Sequence, residues 1–87
     1  MFASPVLASH CLPREIWVEH LKDKYGEQLV EFGLIGDGRL MERFATPNGA
    51  TWTLLVTDTS GISCGFAAGE TWQKAAPELL KPMGLPI

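Results

Sequence analysis

Eighty-seven residues make one domain, and so short a chain buries a modest share of its surface, so a covalent staple would weigh heavily on its stability. With 46% hydrophobic and 20% charged residues, the composition is that of a folded globule. The net charge of -3, with seven Lys and Arg scattered singly among acids, excludes the basic patch that nucleic acid requires, and no apolar run approaches the ~20 residues of a membrane span.

Residues 1–11 read as an extended N-terminal arm. Phe2 to Ala8 is mildly apolar, and Val6-Leu7-Ala8 has the small-residue character of a cleavage site, but the basic n-region and long apolar core of a signal peptide are missing. Three readings stand: a clipped signal remnant, a mis-set start, or a native arm ordered by neighbours. Pro13 then opens a helix, where its missing N–H costs nothing. Glu15 suits the positive end of the helix dipole, and Gly26 suits a left-handed stop. The expected helix runs from about Pro13 to Tyr25, with Ile16, Trp17, Val18, Leu21 and Tyr25 on one side.

Beyond Gly26 the period falls to two. Gln28 to Ile35 alternates as a strand and Gly36-Asp37-Gly38 is a hairpin signal. Arg39 to Thr46 forms a second strand, Pro47-Asn48-Gly49 a turn, Thr51 to Thr57 a third strand, Asp58 to Gly61 a turn and Ile62 to Ala68 a fourth. Three short turns in succession demand an antiparallel meander. The expected fold is α+β: one N-terminal amphipathic helix packed on a four-stranded antiparallel sheet. The core spans 12–72, the arm covers 1–11, and a Pro-rich C-terminal arm covers 73–87, all within one domain. Leu79, Leu80, Met83 and Leu85 are the apolar contacts of that tail.

Trp52, Leu54 and Val56 share one face of the third strand and read as the core, beside Cys64. Thr51, Thr53, Leu55 and Thr57 share the other, which reads as solvated or as an uncharged face that docks a protein partner. Trp72 is expected to close the open end of the core, and Gly65 and Gly69 to mark a bulge or a close backbone approach.

Cys11 lies just before the helix and Cys64 on the fourth strand. In this architecture they can meet as a disulfide that staples helix to sheet; two separate buried or inert thiols are the alternative. A metal site would need four ligands, and His10, Cys11 and His20 offer three without a CxxC. A catalytic thiol would need an activating His and exposure. His20 reads as a rim histidine rather than a general base. Glu31 and Glu42 can face each other across the first hairpin, which is a glycosidase or metal theme and also what an exposed sheet edge shows by chance. No cofactor is expected.

Gly49-Ala50-Thr51-Trp52-Thr53, followed by Gly61 to Trp72, resembles a group of small secreted or periplasmic proteins of alphaproteobacteria, with relatives in their phages, to which no activity is assigned. The resemblance covers about residues 11–72. It includes the early Cys11, an amphipathic segment ending at Tyr25, Gly33-Leu34 and Glu42. It implies a fold and a Cys11–Cys64 disulfide, and carries no catalytic residues. Members carry a full signal peptide and this chain does not, which favours the phage-encoded reading. The expected function is therefore a non-enzymatic interaction or structural module, a virion or accessory component docking subunits through its arms and outer sheet face. The alternative is a periplasmic or extracellular binding or inhibitory domain, and third comes a small hydrolase using His20 or the Glu31/Glu42 pair.

Overall fold

The computed structural model describes residues 10–75. The expected contacts of residues 1–9 and of Leu79, Leu80, Met83 and Leu85 lie outside them. Six elements follow in order: β1 (Cys11–Pro13), α1 (Arg14–Tyr25), β2 (Gln28–Leu34), β3 (Leu40–Ala45), β4 (Thr51–Thr57) and β5 (Ile62–Glu70). The strands form one antiparallel sheet ordered β1-β5-β4-β3-β2. The α+β class and the meander stand as read. The sheet has five strands rather than four, because the chain just before the helix pairs with β5. Three residues ending in a proline are too short to show a period of two, so β1 has no signature of its own.

Pro13 occupies the N-cap of α1 with an extended backbone, at φ -52° and ψ 140°. It ends β1 and pre-sets the helix entry. Gly26 closes the helix at φ 69°; its N–H donates to the Lys22 carbonyl (3.0 Å) and the Glu27 N–H to the Leu21 carbonyl (3.1 Å). That positive φ is the reason for a glycine here.

α1 lies across β5, β4 and β3. Its Trp17 and Leu21 meet Phe44 and Leu55 in the core, with Leu12, Val18 and Tyr25 packed around them. Trp17 Nε1 donates to the Ser63 carbonyl (3.0 Å), which satisfies the indole inside that core. Ile16, expected on the apolar side, is exposed.

The faces of β4 are opposite to the expectation. Thr53, Leu55 and Thr57 are buried beneath α1, whereas Trp52, Leu54 and Val56 are half-buried on the outer face. Paired residues of an antiparallel ladder share a face, so Cys64, opposite Val56, is also on the outer side. Cys11 pairs directly with Cys64. The Gly65 N–H donates to the His10 carbonyl, so Cys11 and Cys64 form a non-hydrogen-bonded pair, the type in which side chains stand closest. They are joined by a disulfide, with Cα atoms 3.9 Å apart. The staple thus ties strand to strand on the outer face, instead of tying helix to sheet.

A bulge falls in β5, where Leu54 pairs with Ala67 and Leu55 with Gly65, leaving Phe66 as the extra residue. Gly69 permits a close approach: a Cβ there would stand 2.8 Å from Cζ2 of Trp52. Both glycine expectations on β5 hold.

Candidate functional site

The threonine face is a buried polar seam. Thr53 Oγ1 donates to Glu27 Oε1 (2.8 Å), and Thr57 Oγ1 donates to Glu42 Oε1 (3.0 Å). The Thr57 hydroxyl proton is thereby used, so the Ser63 hydroxyl, 2.6 Å away, donates to Thr57. Arg14 completes the seam, its Nε 2.9 Å from Glu42 Oε1 and its terminal nitrogen 2.6 Å from Oε2. The hydrogen bonds that Arg14 donates to Glu42, reinforced by the carboxylate's charge, raise the Arg14 pKa above its ordinary value. Thr51 is half-buried at the strand's start, with its hydroxyl shielded from water. The expected partner face of Thr51, Thr53, Leu55 and Thr57 is therefore corrected: Thr53, Leu55 and Thr57 are buried on the side that α1 covers, and Thr51 is half-buried at its margin. Thr53 and Thr57 satisfy the buried carboxylates of Glu27 and Glu42, which cannot remain unpaired out of water.

Glu31 and Glu42 do not face each other. Glu31 pairs with Arg43 and Glu42 with Phe32, adjacent rungs whose side chains point to opposite sides of the sheet. Glu31 Oε1 accepts from Arg43 at 2.7 Å. His20 stands edge-on between Trp17 and Tyr25, with ring centroids 6.4 and 5.9 Å away and Nε2 enclosed. The structure thus separates the three residues of the hydrolase reading.

Exposed apolar surface concentrates elsewhere. Every residue of β2 is exposed, including Leu29, Val30, Phe32 (68%) and Leu34 (81%). The sheet residues in the core under α1 come from β3 and β4 and none from β2, and among the described residues no strand pairs with the outer edge of β2. The Ile35 N–H donates to the Arg39 carbonyl (2.7 Å). Alternation along an antiparallel ladder then aims the N–H and C=O of Gly33 at β3, and those of Phe32 and Leu34 away from the sheet.

The outer face beside this edge carries a small aromatic cluster. After β5, Thr71 adopts φ 57°, and the Thr71 and Trp72 N–H groups bond to the carbonyls of Ala50 and Gly49. This turns Trp72 back over the sheet. Its ring meets Trp52 edge-on at 4.9 Å, and the Arg43 guanidinium sits 4.5 Å from its centroid. Trp72 does cover apolar surface, but on the outer face rather than at the end of the helix-side core. A shallow apolar groove of about 250 Å³ runs between Trp72, Leu54, Met41 and Gly33 to the β2 edge.

Around the turns, Asp37 is held below the usual carboxylate range by its hydrogen bonds from Arg39. Asp58 is held low mainly by the Ser60 hydroxyl and the Ile62 N–H.

Sequence reasoning passed over Leu29, Val30, Phe32 and Leu34 as a surface. A signal was present: the first strand of a meander is an edge, and apolar residues on both faces of an edge strand exceed what one helix can cover.

Comparisons with protein-family models, with curated proteins and with solved structures find no match. The chain is defined by its own architecture: a disulfide-stapled α+β domain with one free, apolar sheet edge among the described residues.

Proposed function

We propose that this chain is a non-enzymatic protein-docking module that binds through the β2 edge and the outer face next to it. The observation that carries the reading is the exposure of all seven β2 residues, four of them large and apolar. Unpaired main-chain groups along such an edge hydrogen-bond to an added strand, and the flanking side chains supply apolar contact. The candidate acid–base groups support the same reading, since Glu42 is tied to Arg14 and Thr57, and Glu31 to Arg43.

The disulfide is compatible with an oxidising setting, periplasmic, extracellular or on a virion surface. No helix among the described residues is long and apolar enough to cross a membrane. The resemblance to phage-encoded relatives supports a place in a larger assembly. The test is chemical cross-linking of the protein in its native source, followed by mass-spectrometric mapping of the footprint on this chain. Contacts on 28–35, with Trp72 or Met41, are expected. A footprint confined to the exposed side of α1 would overturn the proposal.

A further inference from the structure

We infer that the occupant of the β2 edge is a second copy of this chain, joined edge to edge about a twofold axis through Gly33. This rests on the docking role of β2 and names its partner.

The two ends of the sheet differ. At one end β1 is three residues long, ends in Pro13 and is tied by the disulfide to β5, so it offers little to pair with. At the other, β2 has seven residues, no proline, and outward-pointing main-chain groups at Phe32 and Leu34.

Antiparallel pairing about Gly33 places Phe32 opposite Leu34 of the second copy, and Leu34 opposite its Phe32. Each pair then exchanges two N–H···O=C bonds. The four side chains meet on the helix-side face and cover the most exposed apolar residues of the strand. Gly33 meets Gly33 at the axis on the outer face, in the closely spaced kind of pair where two side chains would crowd.

Charge fits the same register. Glu31, neutralised by its own Arg43, lies opposite Ile35. Asp37 at the hairpin tip is likewise neutralised by its own Arg39, so by register it brings no unpaired charge against residue 29 of the other copy. No like charges oppose each other within the paired stretch. Because the contact uses one patch on both copies, it is isologous and closes as a dimer instead of growing into a fibre.

Gly33→Cys provides a direct test. The native cysteines are both in the disulfide, so the new thiol is the single free one, and a side chain at 33 meets nothing within 4 Å. Mild oxidation should yield a covalent dimer of twice the 9.5 kDa chain mass, with a 33–33 cross-link in the peptide map. In parallel, sedimentation equilibrium of the unmodified full chain should show a concentration-dependent dimer that Leu34→Lys abolishes. Leu34 is so exposed that this variant should keep its fold, checked by circular dichroism and the intact disulfide. Amide exchange at Phe32 and Leu34 should slow as concentration rises.

A monomer at all concentrations, together with an introduced thiol that stays free in the Gly33→Cys variant, overturns the self-pairing. So does a monomer in which Phe32 and Leu34 are protected at every concentration, because another segment would then occupy the edge. A dimer untouched by Leu34→Lys also overturns it. In each case the native-source footprint on 28–35 decides separately whether β2 docks some other protein.

Discussion

Glu42 is the residue on which the covered face depends. It is 1% exposed and accepts from Arg14 and Thr57. Arg14→Met would leave a buried carboxylate with a hydroxyl as its remaining partner. Stranding a buried charge costs about 3–5 kcal/mol. The Arg14 side chain is 37% exposed, which weakens the pair and points to the lower end, about 3 kcal/mol. Glu42→Gln keeps the side-chain shape and one acceptor oxygen but turns an amide N–H toward an Arg14 donor. Because Arg14 is partly exposed and can turn to water, the cost should be about 1 kcal/mol. Urea denaturation of both variants checks the order; equal losses would mean that the charge is irrelevant. Asp58 supplies a pH dependence. Its carboxylate is stabilised in the fold by Ser60 and Ile62, so its folded pKa lies below the unfolded value of about 3.9. The unfolded state therefore takes up the proton first as pH drops. The stabilisation is present above about pH 4 and is lost as pH falls through the folded value. Asp58→Ala should lower the melting temperature at pH 7 and flatten its fall between about pH 4 and pH 2. An unchanged acid limb would remove Asp58 from the account.

At the scale of the elements, helix, hairpins and turns were legible because each carries a local signal: Gly26 at a positive φ, Gly36-Asp37-Gly38 in a tight turn, and a period of two from Thr51 to Thr57. Which face of β4 is covered was not legible. Periodicity separates two faces without saying which one the helix meets, and the more apolar set, Trp52, Leu54 and Val56, reads as the core. The helix-side face is polar because its hydroxyls serve Glu27 and Glu42, a relation across distant strands that no local pattern contains. The outer face is partly covered as well, by Trp72 turning back at Thr71. The disulfide partners were legible, since Cys11 just precedes a helix that must pack on the sheet holding Cys64; the strand that carries Cys11 and the face the pair shares were not. Gly69→Ala tests the outer cluster. An added methyl 2.8 Å from the Trp52 ring must displace that ring from its packing on Trp72. The expected loss is about 1–3 kcal/mol, the usual cost of overpacking, with an altered near-ultraviolet aromatic signal. A parent-like spectrum and melt would show that the Trp52–Trp72 contact has no structural weight.

For the whole molecule, the governing fact is that α1 supplies Trp17 and Leu21 to the core and enters from the three-residue strand β1. Non-covalent ties at that end include the short ladder to β5, the Arg14 N–H to the Gly61 carbonyl, and the Arg14 and Trp17 side-chain bonds. The disulfide closes a sequence separation of 53 residues. In the chain-entropy model such a loop is worth about 4 kcal/mol, against a total of about 5–15 kcal/mol for a typical domain. Replacing both cysteines, Cys11→Ala with Cys64→Ala, should therefore lower the melting temperature by roughly 15–30 °C, since 1 kcal/mol moves a domain of this size by about 4–8 °C. The loss should be greatest at α1, because β2, β3 and β4 keep their mutual pairing without the staple. Amide exchange can separate the two regions: helix amides should accelerate before those in the β3–β4 ladder. A melt within a few degrees of the parent would mean that the side-chain ties of Arg14 and Trp17 hold the helix end unaided. Uniform acceleration would instead make helix and sheet one cooperative unit.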